Sequence, residues 1–172
     1  NPEGGFRSDD KNLEPAGEPA LYLHLKIGVL CNDSSLMRES ENCCSIFGDP
    51  TEGALVVAAA KAGMDREKLN KDYPRLDEIP FQSEKMYMAT LHHRDGGRVA
   101  YVKGAAEKIL SLSRYRYHEG YAVPLDDAGK QSILQANNAL AGEAMRVIAT
   151  AYIDLPAELE DLEEEHIRGK LV

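Results

Sequence analysis

The segment VAYVKGAAEKIL, residues 99 to 110, sets Lys103 and Gly104 where a strand-like run gives way to a helix-like one. A lysine at a strand end can meet phosphate as a point charge, and a glycine directly behind it permits close backbone approach. The P-loop does this with the spacing GxxxxGK[ST], and no such string occurs here. Lys103 precedes its glycine, so any phosphate it holds is held on another scaffold. Three further residues complete a candidate set. Phe81 follows Pro80 at what reads as a loop-to-strand junction, where an open ring offers a stacking face worth ~1–3 kcal/mol per base. Glu52 can accept a hydrogen bond from an amino group such as that of adenine, and Arg146, opening the last strand-like run, adds a second cation for phosphate oxygens.

Each residue also has a plain reading. Glu52 completes a helix cap, Phe81 joins a core, and Lys103 and Arg146 are solvated charges. Only their joint occurrence favours a nucleotide site. There is no GxSxG, no triad signature and no HExxH, and neither Cys43 nor Cys44 has an evident base. A binding site fits these residues better than a self-contained catalytic one.

The elements that must position this set can be read from composition and pattern. At 172 residues, 43% hydrophobic and 28% charged, the chain suits one ordinary globular domain. Its 29 acidic against 20 basic residues leave a net charge of −9, which disfavours nucleic acid and anionic membrane surfaces as partners. Cys31, Cys43 and Cys44 are odd in number without a CxxC pair, which reads as reduced thiols, and the five histidines are scattered, so no metal site is expected. No apolar run approaches the ~20 residues of a membrane-spanning helix, and the first residues carry no signal-peptide pattern.

Residues 1–17, rich in Gly, Pro and charge, read as a tether, and PALYLHLKIGVLCND as a core helix. A loop with Cys43 and Cys44 leads to GDPTEGALVVAAAKAGM, a helix with Asp49 as N-cap, Pro50 at its first position, Glu52 in a capping-box-like pair and Gly63 at its stop. A second loop ends at Ile79-Pro80-Phe81. MYMATLHHRDGGRVAYVK reads as a hairpin. A turn at Asp95-Gly96 sets Met88 opposite Lys103 and puts Met86, Met88 and Thr90 on one face with Val99, Tyr101 and Lys103, while a turn at Gly96-Gly97 shifts that register. A helix from near Ala105, a hairpin around Glu119-Gly120, a helix capped by Asp126 or Asp127, a strand RVIATAYI and an acidic helical tail follow. Helices and antiparallel hairpins without a βαβ rhythm predict an α+β domain.

GDPTEGAL, IPFQSEKMYMATLH, YVKGAAE and MRVIATAY, in this order, resemble the nucleotide-binding (N) domain of P-type cation-transporting ATPases, closest to the type II pumps that include calcium ATPases. The resemblance covers nearly the whole chain, and the absence of a His-Pro dipeptide disfavours the heavy-metal branch. It implies a twisted antiparallel sheet flanked by helices, with residues 1–17 a tether from the phosphorylation domain, 18–168 the nucleotide-binding domain and 169–172 the start of the return. It implies that Glu52 lies on the adenine side, that Phe81 stacks on the base, and that Met88 lines the pocket. Lys103, Gly104 and Ala105 form the KGA motif at its floor, and Arg146 stands near the phosphates with Ile148 beside it. Gly104 and Ala105 would let the ligand approach the backbone.

Two positions depart from the family pattern. Met86 stands where many members carry a lysine, with Lys85 adjacent but on the other face of a strand, and Ser83 replaces an arginine of some calcium pumps. Modest affinity with contacts concentrated on adenine is therefore expected, and failure of Met86→Lys to tighten ATP binding would count against a shortage of charge there. The ligands implied are ATP and the Mg²⁺ that travels with its phosphates. The partners implied are the phosphorylation and actuator domains of the same polypeptide, on the cytoplasmic face of a membrane, with this domain monomeric and making no direct membrane contact. The DKTGT aspartate is absent, so the fragment would bind ATP without hydrolysing it. The alternative is a regulatory or interaction module with the same fold and a degenerate pocket.

Overall fold

The computed structural model describes residues 3–40 and 43–172. The chain divides into two units, Asn1–Tyr73 and Pro74–Val172.

In the first unit, β1 (Phe6–Ser8) and β2 (Lys11–Leu13) form a hairpin over Asp9 and Asp10, whose φ angles are 46° and 64°. Aspartate tolerates the left-handed region better than most residues, which suits a two-residue hairpin turn. The stretch read as a tether thus carries regular structure. A 3-10 turn at Pro15–Gly17 then leads into α1 (Pro19–Leu30), which buries Leu25, Ile27, Val29 and Leu30. The loop expected around Cys43 and Cys44 is instead strand. β3 (Ser35–Ser40) pairs antiparallel with β4 (Cys43–Phe47), with Arg38 opposite Cys44, and residues 41 and 42 lie outside the described residues. Main-chain pairing needs only the N–H and C=O that every residue but proline supplies, so a strand can form where side-chain alternation is weak.

α2 (Pro50–Lys61) starts as its sequence predicts. Asp49 Oδ1 accepts the N–H of Thr51 at 2.8 Å and of Glu52 at 3.2 Å, and Pro50 occupies the first helical position. At its end Gly63 takes φ 71°, its N–H donating to the Ala60 carbonyl and the Met64 N–H to that of Ala59, the paired bonds of a Schellman stop. α3 (Arg66–Asp72) was not expected. Leu69 is its one buried residue, so it offers no apolar stripe, but Asp65 caps it through the N–H groups of Glu67 and Lys68.

The second unit runs β5 (Arg75–Gln82), β6 (Tyr87–Arg94), β7 (Gly97–Gly104), α4 (Ala106–Leu112), the hairpin β8 (Tyr115–His118) and β9 (Tyr121–Pro124), α5 (Asp127–Gly142), β10 (Ala149–Leu155) and α6 (Glu164–Ile167). A four-stranded antiparallel sheet of order β10-β7-β6-β5 is its frame. The β6–β7 turn is Asp95-Gly96, so Met88 pairs with Lys103, Thr90 with Tyr101 and His92 with Val99. Met86 leaves the shared face expected of it, because it ends the preceding turn with φ 57°. One sheet face packs Tyr87, Ala89, Leu91, Ala100, Val102 and Ala151 against Ile109 and Leu112 of α4 and against Leu162, Ile167 and Leu171. The other face carries Met88, Thr90, His92, Val99, Tyr101 and Lys103, and these are buried as well. Val172 exchanges both main-chain hydrogen bonds with Tyr152, so the last residues belong to this unit's packing.

Two boundaries differ from expectation. The acidic tail is helical only over α6, where Glu163 and His166 form a capping box, and residues 156–163 are irregular. The last strand begins at Ala149 and not at Arg146, because α5 ends in a Schellman stop. The Ala144 N–H donates to the Ala141 carbonyl and the Met145 N–H to that of Leu140, with Ala144 at φ 60°. Glycine is the residue suited to that position, so Ala144→Gly is expected to raise stability by ~0.5–1 kcal/mol, read as a higher urea midpoint at unchanged slope.

Candidate functional site

β5 is an edge strand, and Pro80 sits where its ladder is broken. Ile79 pairs with Ala89 and Gln82 with Tyr87, which leaves Pro80 and Phe81 standing together opposite Met88. An edge bulge is where a residue without an N–H is tolerated, and a bulge re-aims its neighbours. Phe81 therefore lies inside a strand, not at the loop junction expected, and the residue is 58% exposed, so it is no core residue.

Met88 in turn pairs with Lys103, and Lys103 with Thr150. An open aromatic, a thioether, an ammonium and a hydroxyl thus form one row across β5, β6, β7 and β10. With strands ~4.8 Å apart, Phe81 and Lys103 are separated by roughly 10 Å. Lys103 is only 6% exposed, so it is not the solvated charge its sequence allowed. Beside the row, the His92 ring nitrogen Nε2 meets Thr90 Oγ1 at 2.8 Å, and the His92 and Tyr101 rings are 5.3 Å apart. These buried polar residues were not among the expected site. Their only signal was strand alternation with Met88.

Gly104 has a local reason to be small. The Ala105 N–H donates to the Met86 carbonyl at 3.0 Å, and a Cβ at Gly104 would collide with that carbonyl oxygen and stand 2.8 Å from Tyr87 Cβ. The close approach that Gly104 accommodates here is that of the neighbouring strand. Ile148, half-buried, and Arg146, exposed, precede β10.

Ser83 and Lys85 lie in the turn between β5 and β6, which closes through the N–H groups of Lys85 and Met86 on the Gln82 carbonyl. The Lys85 ammonium is 2.5 Å from Glu164 Oε1. That carboxylate also takes a hydrogen bond from Tyr87 and has Arg168 Nη2 at 3.5 Å. The Lys85 hydrogen bond above all holds the Glu164 carboxyl below its ordinary value, while burial and then Glu164 push the Tyr87 phenol up to about 12. A depressed carboxyl pKa means that its contribution to stability is in place above the ordinary glutamate range and is lost as pH falls through the folded value. The melting difference between the native chain and Glu164→Gln is therefore expected to narrow on acidification.

Glu52 belongs to the first unit, on the first turn of α2. Its carboxylate Oε2 accepts the N–H of Asp33 at 2.9 Å and of Ser34 at 3.2 Å, in the connection from α1 to β3. It thus ties the start of α2 to that connection. Asn32 and Arg66 brace the same connection, Asn32 through the Gly28 and Glu52 carbonyls and Arg66 through the Ser34 carbonyl. Glu52→Ala leaves two N–H groups without this acceptor, so a loss of ~1–3 kcal/mol is expected in chemical denaturation. A cleft of this unit lined by Val29, Leu36, Val56, Ala60 and Met64 contains none of the expected site residues. Among the described residues no three His, Cys, Asp or Glu side chains gather as a metal site, and no helix is long and apolar enough to cross a membrane.

A family model described as the cytoplasmic domain N of P-type ATPases matches residues 20–172. The chain is 38% identical over 165 residues to the probable cation-transporting ATPase F of Mycobacterium tuberculosis, covering 95% of this chain and 18% of that protein. It is 42% identical over 134 residues to the cation-transporting ATPase pma1 of Synechocystis, covering 77% of this chain and 14% of the relative. It is 37% identical over 144 residues to calcium-transporting ATPase 1 of Bacillus cereus, covering 84% and 15%. The chain spans less than a fifth of the length of these relatives.

Proposed function

The chain belongs to the P-type ATPase cytoplasmic N domain family, and from that premise we propose that it is the ATP-binding domain of an ATP-driven cation pump. The observation that carries this reading is the row Phe81–Met88–Lys103 across the sheet of the second unit. The base stacks on the open Phe81 ring, whose exposure leaves a face for it, and Met88 supplies a polarizable apolar neighbour. Lys103 adds positive charge from a site of low dielectric, where a charge–phosphate attraction is stronger than in water. Arg146, exposed before β10, reaches toward phosphate oxygens, with Ile148 as apolar support.

The domain's work is positioning. It holds ATP by the base and presents the γ-phosphate to an aspartate of a separate phosphorylation domain when the domains close, the phosphorylation and actuator domains being its partners in the same polypeptide. Mg²⁺ arrives on the phosphates, where it neutralises their charge. The pump sits in a membrane with this domain on the cytoplasmic face, and calcium, named in the Bacillus cereus relative, is the ion to test first. The isolated chain is a monomer that binds ATP and does not hydrolyse it.

Calorimetric titration with ATP and with GTP tests this reading. Saturable binding of ATP, weaker binding of GTP and no phosphate release support it. No heat at millimolar ATP would move the interaction-module reading to first place, and phosphate release would point to a free-standing nucleotide enzyme.

A further inference from the structure

We propose that Glu164 sets the ATP affinity of this domain by holding Lys85 away from the nucleotide's phosphates. The inference rests on the ATP-binding reading above and adds a determinant from the far end of the chain. Lys85 is the only cation in residues 80–88, and it lies in the short turn, residues 83–86, that follows the end of β5 at Gln82. Because Lys85 and Met86 both donate to the Gln82 carbonyl, the turn folds back on Gln82, the last residue of β5 and the neighbour of Phe81 in the chain. A lysine stem with four rotatable carbons can carry its ammonium to either side of such a turn.

Glu164 decides the side. Its carboxylate binds the Lys85 ammonium at 2.5 Å and also receives Tyr87, which faces the hydrophobic core opposite the face of Met88 and Lys103. Glu164 is itself fixed, since α6 is anchored by the fully buried Ile167. Lys85 is thus drawn toward the Tyr87 face. The shape of the turn does not depend on this pair, because backbone hydrogen bonds at Gln82 and Met86 close it. Both partners are about one-third exposed, so the ion pair is weak enough for a polyphosphate to compete with it.

Two variants release Lys85 by different routes. Glu164→Gln removes the charge, and Glu164→Asp keeps the charge but withdraws it by one methylene. Both are expected to tighten ATP binding about two- to five-fold at low ionic strength, the range an exposed ion pair can supply. Adenosine, which has no phosphate, is expected to bind both variants as it binds the native chain, whereas a merely structural disturbance of the stacking site would change both ligands. In a double-mutant cycle, Lys85→Ala is expected to cost more ATP affinity in the Glu164→Gln background than in the native one. Equal costs in the two backgrounds, or no tightening in either Glu164 variant, would overturn the inference and leave the ATP-binding reading standing. Absence of ATP binding by the native chain would remove both.

Discussion

Replacing Gly104 with alanine is expected to destabilise the second unit by ~1–3 kcal/mol or more, the range for forcing a carbon into a packed interior. The added Cβ would meet three atoms at once: the Met86 carbonyl oxygen, Tyr87 Cβ at 2.8 Å and Tyr87 Cα at 2.9 Å. Two of these are main-chain atoms, one at the end of the turn and one at the start of β6, so no side-chain rotation relieves the overlap. Gly104 pairs with Tyr87 on one side and Ala149 on the other, and moving it parts β7 from β6 or β10. Urea denaturation reads the effect. Gly142→Ala is the control, because a Cβ there meets nothing within 4 Å in the last turn of α5. That variant is expected to be neutral or slightly stabilising. A Gly104→Ala chain as stable as the native one would mean that the β6–β7 approach is looser than described, and the nucleotide would again be the reason for the glycine.

The second large effect is on binding, not stability. Phe81→Ala changes a residue that is 58% exposed, so its melting temperature is expected to stay close to native. Its ATP affinity is expected to fall by ~1–3 kcal/mol, the worth of one base–aromatic stack, or roughly 5- to 150-fold. Phe81→Trp, which keeps a stacking face, is expected to retain most of the affinity. Calorimetry on folded variants separates the cases. An alanine variant binding within two-fold of native would remove Phe81 from the site.

What could be read in the amino-acid sequence was governed by how local each determinant is. α2 was legible at both ends because Asp49, Pro50 and Gly63 act within a few residues of themselves. The β6–β7 register followed from Asp95-Gly96, and the β8–β9 hairpin from Glu119 and Gly120, which take φ 48° and 93°. β3, β4 and β5 were missed because their strands are stabilised by pairing, with little apolar alternation to announce them. α3 was missed because a seven-residue helix with one buried leucine has almost no periodicity.

The same division holds for the candidate site. The residue types Phe81, Met88 and Lys103 and the pairing of the last two were legible. The bulge that brings Phe81 opposite Met88 was not, since it depends on the register of β5 against β6. Glu52 was read as a cap residue and an adenine-side acceptor, and the engagement of its carboxylate by backbone N–H groups nineteen and eighteen residues earlier had no local signal. The hold of Glu164 on Lys85 joins the end of the chain to its middle and has no local signature.

The measurement that bears most directly on the central claim is an NMR titration of the isotopically labelled domain with ATP, run beside the Phe81→Ala variant. Saturable shifts are expected along the row at Phe81, Met88, Lys103 and Thr150, weaker with GTP and absent in the variant. Shifts that saturate elsewhere, or none at millimolar ATP, would contradict an adenine site on this sheet.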